Sequence, residues 1–175
     1  MLSRIIHLRL WLAFAGLVAL ATACGPSAPP TAAPTPEPAL PDTNAQAVMQ
    51  YLQDVNYQGG WELWPGRGEK YEGPPPHGML LTTYLNDAAF NALTGEAGSF
   101  PDGSIIVKEN YTPDGALDAT TIMYKVAGYN PENNDWFWTK VKADGTVEAE
   151  GQVQGWQVCP GQQKDNDYIL TESIK

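Results

Sequence analysis

Between residues 101 and 153 the chain alternates runs of β-branched and aromatic residues with tight-turn triplets, and no other feature of the sequence limits the fold as much. Pro101-Asp102-Gly103 leads into a β-type run at 104–111, and Pro113-Asp114-Gly115 closes it. Two further runs follow at 120–129 and 135–142, and Ala143-Asp144-Gly145 turns the second of them into 146–153. Glycine supplies the positive φ that a tight connection needs, and strands joined this way pair antiparallel. The spacing therefore predicts an antiparallel meander.

The residues ahead of the meander read differently. Ala47, Val48, Tyr51, Leu52 and Val55 recur at helical spacing, which predicts an amphipathic helix over 45–56 ended by Gly59-Gly60. The stretch 61–77 is crowded with proline and glycine and reads as an irregular loop. Residues 79–85 read as a strand. Asn86 then caps a short helix with Ala89, Phe90 and Leu93 on one face, stopped at Gly95. The expected class is α+β, mainly an antiparallel β-sheet with short flanking helices, in one domain over 45–175.

Charge excludes one class of partner. Ten Lys and Arg stand against twenty Asp and Glu, a formal charge of −10. Nucleic-acid binding needs clustered cations to displace counterions, and the densest pair here is Lys140 with Lys142. Anionic headgroups repel such a chain as well, apart from any covalent anchor.

The first 44 residues suggest what that anchor is. Arg4 and Arg9 precede an uncharged run over 10–21, then Ala21-Thr22-Ala23 and Cys24-Gly25. The run is short for a membrane span and has the layout of a secretory signal over 1–23. Cys24 directly after it resembles a bacterial lipobox, with Leu20 one place further from the cysteine than usual. The alternative is a plain signal peptide with Cys24 unmodified. Lipidation at Cys24 would tether an exported protein to a membrane facing the periplasm or cell exterior. Removal of 1–23 takes away Arg4 and Arg9 and leaves eight basic against twenty acidic residues, −12. Prolines at seven positions from Pro26 to Pro41 make the rest of 24–44 an extended spacer. The second cysteine, Cys159, then has no partner in the chain, and is either buried and inert or a remnant.

A set of words in fixed order carries a resemblance. They are Trp61-Glu62-Leu63-Trp64-Pro65-Gly66, Pro76-His77-Gly78, Tyr84-Leu85-Asn86, 101–109 (PDGSIIVKE), 123–131 (MYKVAGYNP) and Asp135-Trp136-Phe137-Trp138. Together they resemble the cytochrome P-460 family of exported haem proteins, over about 46–171. The resemblance implies a largely antiparallel sheet with flanking helices, a homodimer, and a c-type haem near the C-terminus. Some members cross-link a strand lysine to the porphyrin and oxidise hydroxylamine, and others bind nitric oxide. The corresponding lysine is Lys108.

The attachment motif departs from the family. Where the family has Cys-x-x-Cys-His, this chain has Trp156-Gln157-Val158-Cys159-Pro160, followed by Asp167-Tyr168. Trp156 cannot add to a vinyl group, and Pro160 offers iron no donor. Only Cys159 survives, so the resemblance implies that covalent c-type haem is lost.

Candidate site residues follow from this. His77 is the only histidine left after signal removal. It is either a structural histidine or, less in keeping with its Pro-rich loop, an axial ligand. A metal site of His77, Glu69 and Glu72 lacks distinctive spacing, so no metal is expected. Lys108 shares a strand face with Ile106 and Asn110, and is either a solvated surface lysine or a pocket residue facing a bound anion or porphyrin. In the pocket case Glu109, on the opposite face, is expected in solvent. The aromatic run Trp136-Phe137-Trp138 puts a ring on each face.

Three functions stay open. The first is a haem-free, tethered binding or structural module, for which no cofactor is expected and enzymatic activity is doubtful. The second is a haem redox protein holding its group through Cys159, Lys108 or His77. The third is a homodimeric interaction subunit. No Ser-His-Asp set can be assembled with one mature histidine, and no phosphate-binding loop follows a strand.

Overall fold

The computed structural model describes residues 38–73, 80–152, 164–169 and 174, all within the compact unit Pro36–Lys175. Cys24, His77 and Cys159 lie outside the described residues.

Among the described residues seven strands form one antiparallel sheet: β1 (Glu62–Leu63), β2 (Tyr71–Glu72), β3 (Leu80–Leu85), β4 (Ile105–Tyr111), β5 (Leu117–Lys125), β6 (Trp136–Lys142) and β7 (Val147–Gly151). The order is β1-β3-β4-β5-β6-β7, with β2 beside β1 on the same edge of β3. From β3 onward each strand pairs with its successor, as short connections require. The predicted α+β class and meander are what the structure has.

Two differences from the sequence reading have physical causes. The stretch 61–77 carries β1 and β2, two residues each, which pair with Leu85, Tyr84, Leu81 and Leu80. They satisfy backbone groups that the long outer edge of β3 would otherwise leave open. The run at 120–129 starts earlier and stops at Lys125. Beyond it the Tyr129 N–H donates to the Val126 carbonyl at 3.0 Å, with Gly128 at φ +79°, so the last residues make a turn.

Alternation splits the core into two layers. On one face α1 (Ala45–Asp54) lays Val48, Tyr51 and Leu52 over Tyr84, Ile105, Val107, Ile122, Tyr124 and Phe137. Its N-cap Asn44 accepts from the Ala47 N–H at 2.8 Å. Burying a Leu- or Val-sized side chain contributes about 1.5–3 kcal/mol, so packing rather than propensity holds this short helix. A further turn of helix, α2 (Tyr57–Gly60), follows it. On the other face α3 (Asp87–Thr94) sets Ala89, Ala92 and Leu93 against Leu85, Ile106, Trp136 and Trp138, joined by Phe100, Tyr168, Ile169 and Ile174. Phe137 thus points away from its neighbours Trp136 and Trp138, as expected.

Asn86 ties the second layer to the sheet. Its Oδ1 accepts from the N–H groups of Ala89 (3.1 Å) and Ile105 (3.0 Å), and its Nδ2 donates to the Gly103 carbonyl at 2.8 Å. One buried amide therefore caps α3 and fixes the start of β4. Among the described residues no helix is long and apolar enough to cross a membrane.

Candidate functional site

The α3 face of the sheet is apolar at one end and polar at the other. Register places Thr83 of β3, Lys108 of β4, Thr121 of β5 and Lys140 of β6 side by side in one cross-strand row. The row is extended past β1 by Trp64, whose N–H donates to the Thr83 carbonyl at 2.9 Å.

A turn builds the outer end of this row. In Trp64-Pro65-Gly66-Arg67 the Arg67 N–H donates to the Trp64 carbonyl at 2.9 Å, and Gly66 has φ +71°. Proline followed by a positive-φ glycine is a type II turn, which brings Trp64 and Arg67 to its two ends. The Arg67 guanidinium lies over the Tyr71 ring, 5.4 Å from its centroid. The Tyr71 hydroxyl shares a 2.8 Å hydrogen bond with Thr83 Oγ1, and Thr83 is the direct cross-strand partner of Lys108.

The donors of this row outnumber its acceptors. Lys108 is half-buried, and its ammonium has no hydrogen bond or ion pair among the described residues. Burial pushes its pKa below the ordinary lysine value. The Trp64 indole Nε1–H is buried without an acceptor. Arg67 is exposed and likewise forms no ion pair among the described residues. Thr121 Oγ1 is occupied with the Lys108 carbonyl (3.2 Å) and Asn110 Nδ2 (3.3 Å). Lys140 is spent on Glu148 at 2.9 Å, a surface pair of little energetic weight.

The opposite face corrects one expectation. Glu109 is not in solvent: it is 1% exposed. Its Oε1 accepts from the Tyr57 hydroxyl at 2.7 Å and from Gln58 Nε2 at 2.5 Å, and its Oε2 accepts from the Tyr111 hydroxyl at 2.5 Å. The helical turn α2 folds over this end of the sheet and supplies two of the three donors, which strand alternation alone does not foresee. Desolvation and then the Glu109 bond push the Tyr57 and Tyr111 phenols well above the ordinary tyrosine value. Tyr84, whose ring meets Tyr57 edge-on at 5.3 Å, is pushed up to about 12 by burial and then by the Glu109 charge.

A second buried carboxylate holds the C-terminal segment. Asp167 accepts from Lys125 Nζ at 2.7 and 2.8 Å, from Trp136 Nε1 at 2.9 Å and from the Phe100 N–H at 2.8 Å. With every lone-pair direction engaged, this cluster is a structural clamp.

Of the predicted site residues, the structure places Lys108 within the polar row; His77 and Cys159 lie outside the described residues. Among the described residues no cluster of three or more His, Cys, Asp or Glu could hold a metal ion. The sequence puts Trp64, Arg67 and Tyr71 in an irregular loop and gives none of them a site role, although Pro65-Gly66 carries the turn signal. No protein-family model matches the chain, and no curated protein matches it either.

Proposed function

We propose that this chain is an exported, lipid-anchored module of cytochrome P-460-like fold that has given up covalent haem and binds a small ligand over the Lys108 face of its sheet. The observation that carries the reading is Lys108 itself: a desolvated ammonium with no counter-charge among the described residues, at the centre of a sheet face. Keeping a partly desolvated cation unpaired costs stability that a neutral side chain would not, and a bound counter-charge offsets that cost.

The residues do not fit covalent c-type haem. Trp156 and Pro160 stand where two thioethers and a proximal imidazole would need a cysteine and a histidine. No step is therefore routed through the group. The anchor at Cys24, the 24–44 spacer and the homodimer belong to the same proposal, supported by the sequence layout and the resemblance.

Intact mass of the full chain, made in an export-competent host that matures c-type cytochromes, tests the reading. The expected product begins at Cys24, carries acyl chains and has no haem adduct. A haem adduct, or a chain still beginning at Met1, would overturn it.

A further inference from the structure

The row centred on Lys108 has a chemical bias that narrows the ligand class, and the inference rests on the binding reading above. Three donors of this row meet no acceptor or counter-charge among the described residues: the Lys108 ammonium, the buried Trp64 Nε1–H and the Arg67 guanidinium. They are not scattered. Trp64 and Arg67 close one type II turn, Arg67 lies on Tyr71, Tyr71 bonds Thr83, and Thr83 pairs with Lys108 across the strands. Trp64 and Lys108 are two strands apart, about 10 Å at the backbone, which their two long side chains can bridge onto one small molecule.

No carboxylate of the row answers these donors, in a chain where acidic residues outnumber basic ones two to one. A cationic ligand would face like charges. An apolar ligand would leave the ammonium and the indole N–H unsatisfied, which is the costly arrangement. An acceptor-rich ligand with negative charge satisfies all of them. Carboxylates suit the set best, since two coplanar oxygens can take a charged donor and a neutral N–H together.

We infer that the Trp64–Lys108 row is an anion site that binds the carboxylate group of a small organic acid, with Lys108 supplying the charge, Trp64 Nε1–H a directed hydrogen bond and Arg67 the outer electrostatic rim. The net negative charge of the chain makes such binding selective, because anions find little attraction elsewhere on it.

The test uses purified full-length protein with ¹⁵N-labelled tryptophan, the indole signal of Trp64 being assigned by Trp64→Phe. Acetate and benzoate are titrated at constant ionic strength, with chloride as the reference anion. The expected result is a saturable shift of the Trp64 indole signal by the carboxylates. Lys108→Gln should weaken it roughly tenfold to a hundredfold, as loss of a charged hydrogen bond does. Arg67→Gln, at an exposed position where folding is not at stake, should weaken it less. No shift with either acid, the same shift with chloride, or a shift unchanged by Lys108→Gln overturns the inference. The visible spectrum of the same sample separates this from the parent reading. A carboxylate response with a Soret band keeps the anion site and removes the haem-free reading. No response and no Soret band does the reverse.

Discussion

Replacing Lys108 by methionine should make the protein more stable. Methionine keeps an unbranched stem of similar length and removes only the ammonium, so packing along β4 is preserved. The substitution breaks no hydrogen bond or ion pair among the described residues, because the ammonium makes none there. What it relieves is desolvation of an unpaired charge, about 1–3 kcal/mol. For a domain of this size that corresponds to a rise in Tm of about 4 °C for each kcal/mol.

The pH dependence gives the sign a second check. The folded-state pKa of Lys108 lies below its ordinary 10.5. Between the two values the unfolded chain holds the extra proton, so wild-type stability from this group rises with pH. The advantage of Lys108→Met should therefore be greatest below the lowered pKa and shrink as pH approaches 10.5. Urea unfolding of both proteins at several pH values, with m unchanged, measures it. A solvated surface lysine would give a difference within about 0.5 kcal/mol at every pH. That result, or a loss of stability, would refute the reasoning.

Other perturbations address the remaining clusters. Asp167→Asn leaves the half-buried Lys125 without its carboxylate and should cost about 3 kcal/mol, read by urea unfolding; an unchanged midpoint would mean the clamp is not formed. In Glu109→Gln the Tyr57 and Tyr111 phenols should ionise at lower pH than in the wild type, as followed by ultraviolet difference absorbance. Since the folded state holds Tyr57, Tyr84 and Tyr111 protonated beyond the ordinary 10.0, wild-type stability should fall above about pH 10, where the unfolded chain ionises first. Gly66→Ala meets no atom within 4 Å but must hold φ +71°, so it should cost about 1 kcal/mol through backbone strain alone.

The meander was legible because its signals are local. Turn triplets and β-branched runs fixed four successive strands, and Asn86 and Gly95 marked the ends of α3. The short strands β1 and β2 were not legible. Two residues carry no alternation, and their pairing depends on the open edge of β3. Lys108 stands out by its position in a resemblance, and its face follows from alternation. That its ammonium lacks a partner among the described residues depends on every neighbour in three dimensions. The burial of Glu109 is not legible for the same reason, since it depends on α2 bringing Tyr57 and Gln58 over the carboxylate. The Asp167 clamp joins residues 67 positions apart, a separation over which no sequence period speaks.

An absorption spectrum of wild-type protein from a haem-replete, export-competent host tests the central claim most directly, since it detects haem whether attached or merely inserted. The account predicts a folded protein with no Soret band. A Soret band co-purifying at about one haem per chain would contradict it and turn attention to Cys159, Lys108 and His77 as the residues holding the group.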